Sequence, residues 1–398
     1  MTSLVFPSFN LYSTPLLVLV SQGLLFGGLL LHRFYTKRRV SDLFLALLVI
    51  ITCYHRTTYT IGFMDWYDTY RNTKINYWLI SLSLAIGPLI YFYVKSVTTS
   101  NFKFGKKDGL HFVPVAIYAL YRIFIFVYDA GQSGFDEKQN GILMEKWAMG
   151  AVGSFAEAFN AIQQILYLAF SLQLYFAYRK KIRDYFSNIY KLELNWIRNF
   201  LYIYSFLFLY GILQQFIILS VVELSWIQKW WYQFFSALAV IYIGIKGYFT
   251  DTTSLEGLDF QFLGRLHKKE TSIKESMAYS KLQPVELENL KERLSSFMKA
   301  QRPYLNPDLN LKEMAQDLQM SRGQLSEVIN IGFGKNFNDF INTYRINSVK
   351  NMLKEGKHEK LSLLGIAFEC GFNSKATFNR VFKKFTNHSP TEFLKNSV

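Results

Sequence analysis

Apolar residues in the first 249 positions come in blocks of about twenty, separated by short polar stretches. A helix needs about 20 mostly apolar residues to cross a bilayer. Blocks of that kind lie near 13–32, 43–63, 76–95, 110–128, 149–178, 197–222 and 227–249, so the pattern predicts seven transmembrane helices. Gly87-Pro88 interrupts the third, a kink that a membrane helix tolerates. The polar residues 250–283 lack a long apolar stripe and read as a juxtamembrane linker. Beyond them apolar residues recur at helical spacing in short segments.

In this last part Pro284 fits the first turn of a helix, with Leu287, Leu290, Leu294 and Phe297 on one face. Pro303 and Pro307 end it. Leu311 to Leu318 forms a short amphipathic helix and Gln319-Met320 a turn. Ser321 then caps a helix from Arg322 to Asn330, with Gln324 at the capping-box position. Leu325, Val328 and Ile329 face inward, and Arg322, Gln324, Ser326 and Glu327 outward. The pattern recurs as Leu363 to Cys370, a tight turn at Gly371, and a helix from the cap Ser374 to Phe385. Here Phe378, Val381 and Phe382 face inward, and Lys375, Thr377, Asn379, Arg380, Lys383 and Lys384 outward. A long helix, Asn338 to Leu353, joins the two units. The expected fold is all-α: a transmembrane bundle over 1–249, a linker over 250–283, and a domain of two helix-turn-helix units over 284–398.

Composition supports this division. The 51% hydrophobic and 18% aromatic content, with 37 Phe and 26 Tyr, is more than a soluble domain of this size carries, although the mean hydropathy is only +0.10. The formal charge of +15 splits into +10 for residues 1–249 and +5 for the rest. The first excess sits in loops and reports topology. Arg33, Lys37, Arg38, Arg39, Lys95, Lys103, Lys106, Lys107, Arg179, Lys180, Lys181, Arg183, Lys191 and Arg198 fall in alternate loops. The opposite loops hold Arg71, Lys74, Lys138, Lys146 and Lys229, offset by Asp65, Asp68, Asp136, Glu137, Glu145 and Glu223. By the positive-inside rule the first set is cytoplasmic, the N-terminus is outside, and seven spans place the C-terminal domain inside. Nothing before Leu16 is basic, so the first block reads as a retained span rather than a cleaved signal. Aromatic pairs such as Trp66-Tyr67 and Tyr77-Trp78, and Trp226 to Tyr232, fit an interfacial belt. Cys53 and Cys370 have no metal or disulfide spacing and read as buried small hydrophobes.

Polar residues interrupt the spans at a common depth. Arg56 is seven residues from Phe63, Arg122 six from Tyr128, Glu157 eight from Met149 and Gln215 seven from Val222, all roughly 10 Å below the outer surface at 1.5 Å per residue. Glu157, Asn160 and Gln164 share one helix face. Charges in a span face the bundle interior and pair. Two readings stay open: Arg56, Arg122, Glu157, Asn160, Gln164 and Gln215 form a ligand pocket, or Glu157 with Arg122 or Arg56 is a structural ion pair.

The tail carries a specific resemblance. Ile366-Ala367-Phe368-Glu369-Cys370-Gly371-Phe372-Asn373-Ser374, then Phe378-Asn379-Arg380-Val381-Phe382-Lys383-Lys384, then Ser389-Pro390-Thr391-Glu392-Phe393, resembles the C-terminal signature of the AraC/XylS family of bacterial transcription regulators. Phe337 to Asn342 and Tyr344-Arg345-Ile346 are similar to its linker-helix region. The composite resembles membrane-anchored members of that family. The resemblance implies two recognition helices in successive major grooves, with base-contacting positions at Gly323, Ser326, Glu327, Ala376, Thr377, Asn379 and Arg380, and Asn387 where the family usually has glycine. Arg380 is suited to guanine O6 and N7, and Lys383 and Lys384 to phosphate.

The expected protein is therefore a non-enzymatic, signal-responsive transcription regulator of the bacterial inner membrane. Its expected partners are double-stranded DNA, the bilayer, an extracytoplasmic or membrane-borne ligand and a second copy as homodimer. No cofactor or metal is expected: no nucleophile elbow, phosphate-binding glycine loop or metal-ligand cluster occurs. The alternative is a transporter or small-ligand receptor whose helix-turn-helix tail is a regulatory or interaction module.

Overall fold

The computed structural model describes residues 7–70, 72, 74, 81–99, 102–133, 141–148, 150–189, 192, 194–250 and 282–397. Residues 251–281, most of the expected linker, lie outside these. So do Arg71, Tyr77, Trp78, Asp136, Glu137, Lys138, Met149 and Lys191 and the opening of the expected third span. Among the described residues the elements are helical, and the β structure is an isolated bridge between Phe186 and Asn310. The chain divides into two compact units, one of residues 1–175 and 195–261, the other of 176–194 and 262–398.

The first unit contains α1 (Ser13–Lys37), α2 (Val40–Gly62), α3 (Ile86–Thr98), α4 (Val113–Ala130), the first part of α5 (Ala151–Tyr185), α6 (Asn195–Ser220) and α7 (Trp226–Phe249). Among the described residues four helical stretches, Ser13–Lys37, Val40–Gly62, Lys106–Ala130 and Asn195–Ile218, are long and apolar enough to cross a membrane. Gly87-Pro88 does not kink a long helix here. Pro88 sits in the first turn of α3, where a missing N–H leaves no bond unmade. At 35 residues, α5 is roughly 50 Å long, well beyond a hydrocarbon core of about 30 Å.

Within this unit α1 packs on α2 and α7, and α2 on α3 and α7. Gly23 and Gly27 make the first contact close. A Cβ at Gly23 would lie 2.4 Å from Cys53 Sγ and one at Gly27 would lie 2.6 Å from Ile50, the small-residue spacing that lets helix backbones approach. At the other end of α1, Arg33 forms a two-point ion pair with Asp42, which is 2% exposed, and donates to the carbonyls of Gly247 and Tyr248 on α7. The sequence counts Arg33 as a topology signal; the structure also makes it a clamp across three helices.

The second unit contains α8 (Pro284–Ala300), α9 (Leu311–Asp317), α10 (Arg322–Glu327, continuing as a wider turn to Gly332), α11 (Phe337–Lys354), α12 (Leu363–Glu369), α13 (Lys375–Thr386) and α14 (Pro390–Ser397). Short polar side chains cap these helices, since Asn310, Ser321, Asn336, Ser362 and Ser374 each accept from a backbone N–H in the first turn. Helix α11 gives Phe337, Phe340 and Ile341 to a first core with Leu294, Met314, Leu325 and Ile329. It gives Ile346, Val349 and Leu353 to a second core with Ile366, Cys370, Phe378 and Phe382. Cys53 and Cys370 are buried free thiols.

The end of α5 and the turn after it belong to this second unit. Ser187 is 1% exposed, and both its N–H and its hydroxyl donate to Leu309 O, at 3.2 and 2.6 Å. Asn338 Nδ2 donates to the carbonyls of Phe186 (3.2 Å) and Ser187 (2.7 Å). Buried Arg345 donates to Ser187 Oγ (3.2 Å) and to the carbonyls of Tyr304 and Asn306 (2.8 Å each). Tyr185 packs against the first core.

Candidate nucleic-acid interface and a cavity in the first unit

Each recognition-type helix follows a tight turn built by its own sequence. Before α10 the turn is carried by Gln319, at φ +52°. Before α13 it is carried by Gly371, at φ +87°, where a Cβ would lie 2.3 Å from Tyr304 O, so only glycine fits. Asn387 ends α13 at φ +61°, the left-handed conformation expected of it there.

On α13, Lys375, Asn379, Arg380, Lys383 and Lys384 are exposed, as is Ala376, while Phe378, Val381 and Phe382 are buried. Thr377 corrects the sequence reading. It is 4% exposed rather than outward, because it lies one turn before Val381 on the inner stripe and its hydroxyl is bonded to Ser374 Oγ at 2.9 Å. Lys384 is also committed: it forms an ion pair with Asp339 on α11. On α10, Arg322 and Gly323 are exposed. The Gln324 carboxamide accepts from Ser321 N–H at 3.0 Å, so it closes the helix cap instead of reaching outward. Ser326 is half-buried and accepts from exposed Asn330 at 3.2 Å, a polar neighbour that sequence reasoning did not single out. The accessible basic face is therefore concentrated on α13.

Residues 314–396 match a protein family described as a helix-turn-helix domain. The C-terminal domain is a helix-turn-helix domain of the AraC type. Relatives of this AraC-type domain include an uncharacterised HTH-type transcriptional regulator of Pseudoalteromonas carrageenovora, 34% identical over 90 residues, or 23% of this chain and 51% of the relative. Another, from Staphylococcus aureus strain COL, is 32% identical over 90 residues, or 23% of this chain and 12% of the relative. A third, from Haemophilus influenzae, is 29% identical over 89 residues, covering 22% of this chain and 29% of the relative. The chain thus spans from about an eighth to about half of these relatives' length. No solved structure matches the chain.

That first unit holds a cavity of about 550 Å³ between α2, α5, α6 and α7. Four of the candidate pocket residues line it: Arg56 and Gln215, singled out by depth, and Asn160 and Gln164, singled out by their shared helix face. Asn160 and Gln164 are bonded to each other at 3.1 Å. Ser83, Tyr204, Tyr232 and Ser236 add polar atoms that the sequence does not flag, because single hydroxyls are common in buried helices. Arg122 and Glu157 are not part of the wall. The expected ion pair of Glu157 with Arg122 or Arg56 is not formed among the described residues: Glu157 is exposed on α5, and Asn160 is the first α5 residue in chain order on the cavity wall. Arg56 instead donates to Gln233 Oε1 and lies over the Tyr232 ring at 5.1 Å.

Proposed function

We propose that this chain is a membrane-embedded, signal-responsive DNA-binding transcription regulator. Its first unit is read as a bundle of seven spans in a bacterial inner membrane, with the helix-turn-helix domain in the cytoplasm. The four long apolar helices, the basic residues of the predicted inner loops, and the large apolar side chains left exposed on α4 and α6 (Ile117, Leu120, Phe124, Phe206, Leu209, Leu213) support a lipid environment. The exposed Arg380, Lys383 and Asn379 on α13 support double-stranded DNA as a partner.

The observation that carries the responsive part of the reading is the continuity of α5. One helix supplies Asn160 and Gln164 to the cavity and ends at Tyr185, next to the Phe186 and Ser187 groups bonded to Leu309, Asn338 and Arg345. A ligand with unequal affinity for two positions of α5 would bias how Ser187 meets α11. This route runs through the described chain and does not depend on the linker after α7. The two recognition helices of one copy would read the two parts of a site, and a homodimer would place two such sites side by side.

The test is selection of binding sites from random duplex DNA by the full chain in nanodiscs at moderate salt, beside Arg380→Ala. A motif in two parts about one helical turn apart is expected, relaxed by about 1–3 kcal/mol at one position in the variant. Retention that is salt-sensitive but free of any motif overturns the reading.

A further inference from the structure

The cavity in the first unit has an unusual charge balance. Arg56 is the one side chain of its wall that carries a fixed charge, and the wall contains no Asp, Glu or Lys among the described residues. The neighbouring His55 does not add a second charge in this arrangement, since its Nε2 accepts a hydrogen bond from Leu82 N–H at 2.9 Å and so carries no proton. Arg56 has a neutral acceptor, Gln233, and an aromatic face, Tyr232, but among the described residues no carboxylate lies within ion-pair distance. Its Nε is buried without an acceptor. A guanidinium held in a bundle without a counter-ion is costly and functional by default. The remaining donors converge from other helices: Asn160 with Gln164 on α5, and Gln215 on α6. The rest of the wall is apolar, with Leu207, Phe208, Ile212 and Phe216.

We propose that this cavity binds an amphiphilic organic monoanion. Its anionic group supplies Arg56 with the counter-ion that the described residues lack, pairing with the guanidinium where it lines the wall, and its apolar body lies along the α6 wall. A volume of about 550 Å³ is within the range of pockets that enclose one small organic ligand. A cation would meet Arg56 with no wall carboxylate to offset it, and a neutral apolar molecule would leave the guanidinium charge without a counter-ion. The proposal rests on the sensor reading above and names the chemistry of its signal.

The experiment uses the full chain in nanodiscs of zwitterionic phosphatidylcholine, with dodecanoate, dodecanol and dodecylamine as probes of equal chain length. Thermal unfolding is recorded for the wild type, Arg56→Gln and Arg56→Lys. Dodecanoate is expected to raise the wild-type Tm saturably by several degrees, with dodecanol and dodecylamine giving no saturable shift. Arg56→Gln abolishes the dodecanoate shift, and Arg56→Lys, which keeps the charge, retains part of it. Equal stabilisation by dodecanoate and dodecanol, or an undiminished dodecanoate shift in Arg56→Gln, overturns the proposal. If Arg56→Gln does not insert, the wild-type comparison of acid with alcohol decides alone. DNA motif selection by the same preparations separates this outcome from failure of the regulator reading, which would remove the motif whatever the anion does.

Discussion

At the scale of the residue, Gly371 shows how a single backbone position builds half of the interface. Its φ of +87° is open to glycine, and the space where a Cβ would go is occupied by Tyr304 O at 2.3 Å. Both effects act in Gly371→Ala: a strained conformation, and a clash with backbone that Arg345 already holds through the Tyr304 carbonyl at 2.8 Å. Each is worth about 1–3 kcal/mol. The variant is expected to lose about 2–4 kcal/mol of domain stability and its DNA binding with it, measured by chemical denaturation of the full chain in detergent. The first turn contrasts with this, since Gln319 adopts φ +52° with a side chain. The sequence made Gly371 legible because a lone glycine between two short amphipathic helices has few other uses. It left Thr377 illegible. Its polarity groups it with the outward Lys375, Asn379, Arg380, Lys383 and Lys384, whereas the helical stripe carries it inward with Val381.

At the scale of the element, α5 departs furthest from its sequence reading. Its apolar block ends near residue 178, yet the helix continues to Tyr185 and passes from one compact unit into the other. Periodicity could place the helix, but not the long-range bonds of Ser187 to Leu309, Asn338 and Arg345, which lie more than 100 positions away in sequence. The run Arg179, Lys180, Lys181, Arg183 looked like a topology signal alone. Directly after it Asp184 is partly buried, and burial pushes its carboxyl up to about 6, against the lowering pull of Lys180 and Arg183. The unfolded carboxyl titrates near 3.8, so the folded state binds the proton more tightly. Stability from this group is then fully present below about pH 4 and is lost as pH rises through 4 to 6. Asp184→Asn removes that loss. The variant is expected to exceed the wild type by about 1–2 kcal/mol at pH 7.5, after allowance for partial solvent screening, with the gap closing by pH 4. Urea unfolding of the full chain at the two pH values checks both the sign and the window.

At the scale of the whole molecule, the two halves were legible to different depths. The tail was nearly complete in the sequence, because short capped helices, a linker helix and paired turns are local features. The caps at Ser321 and Ser374 fall where expected. The first unit was legible as apolar blocks and a polar layer, and four of its six candidate site residues do line one cavity. Partner choice was not, because it depends on how helices rotate against each other: Arg56 meets Gln233 and Tyr232, residues that a count of depth could not select. The same limit explains the boundary at residue 284. A domain cut there lacks Ser187 and Tyr185, which complete the surface around Leu309, Asn338 and Arg345. The isolated fragment 284–398 should therefore be less stable than the same domain in the full chain. A synthetic peptide of residues 176–194 should restore it, because a ligand that binds only the folded state stabilises it by about RT ln(1 + [L]/Kd). Thermal unfolding of the fragment with increasing peptide is expected to show a saturable rise of a few degrees. Asn338→Ala, which removes two donors to the peptide backbone, should weaken the midpoint by about 1–2 kcal/mol, near the worth of one or two buried hydrogen bonds. A peptide without effect on the wild-type fragment would show that the contact has too little affinity to couple α5 to α11.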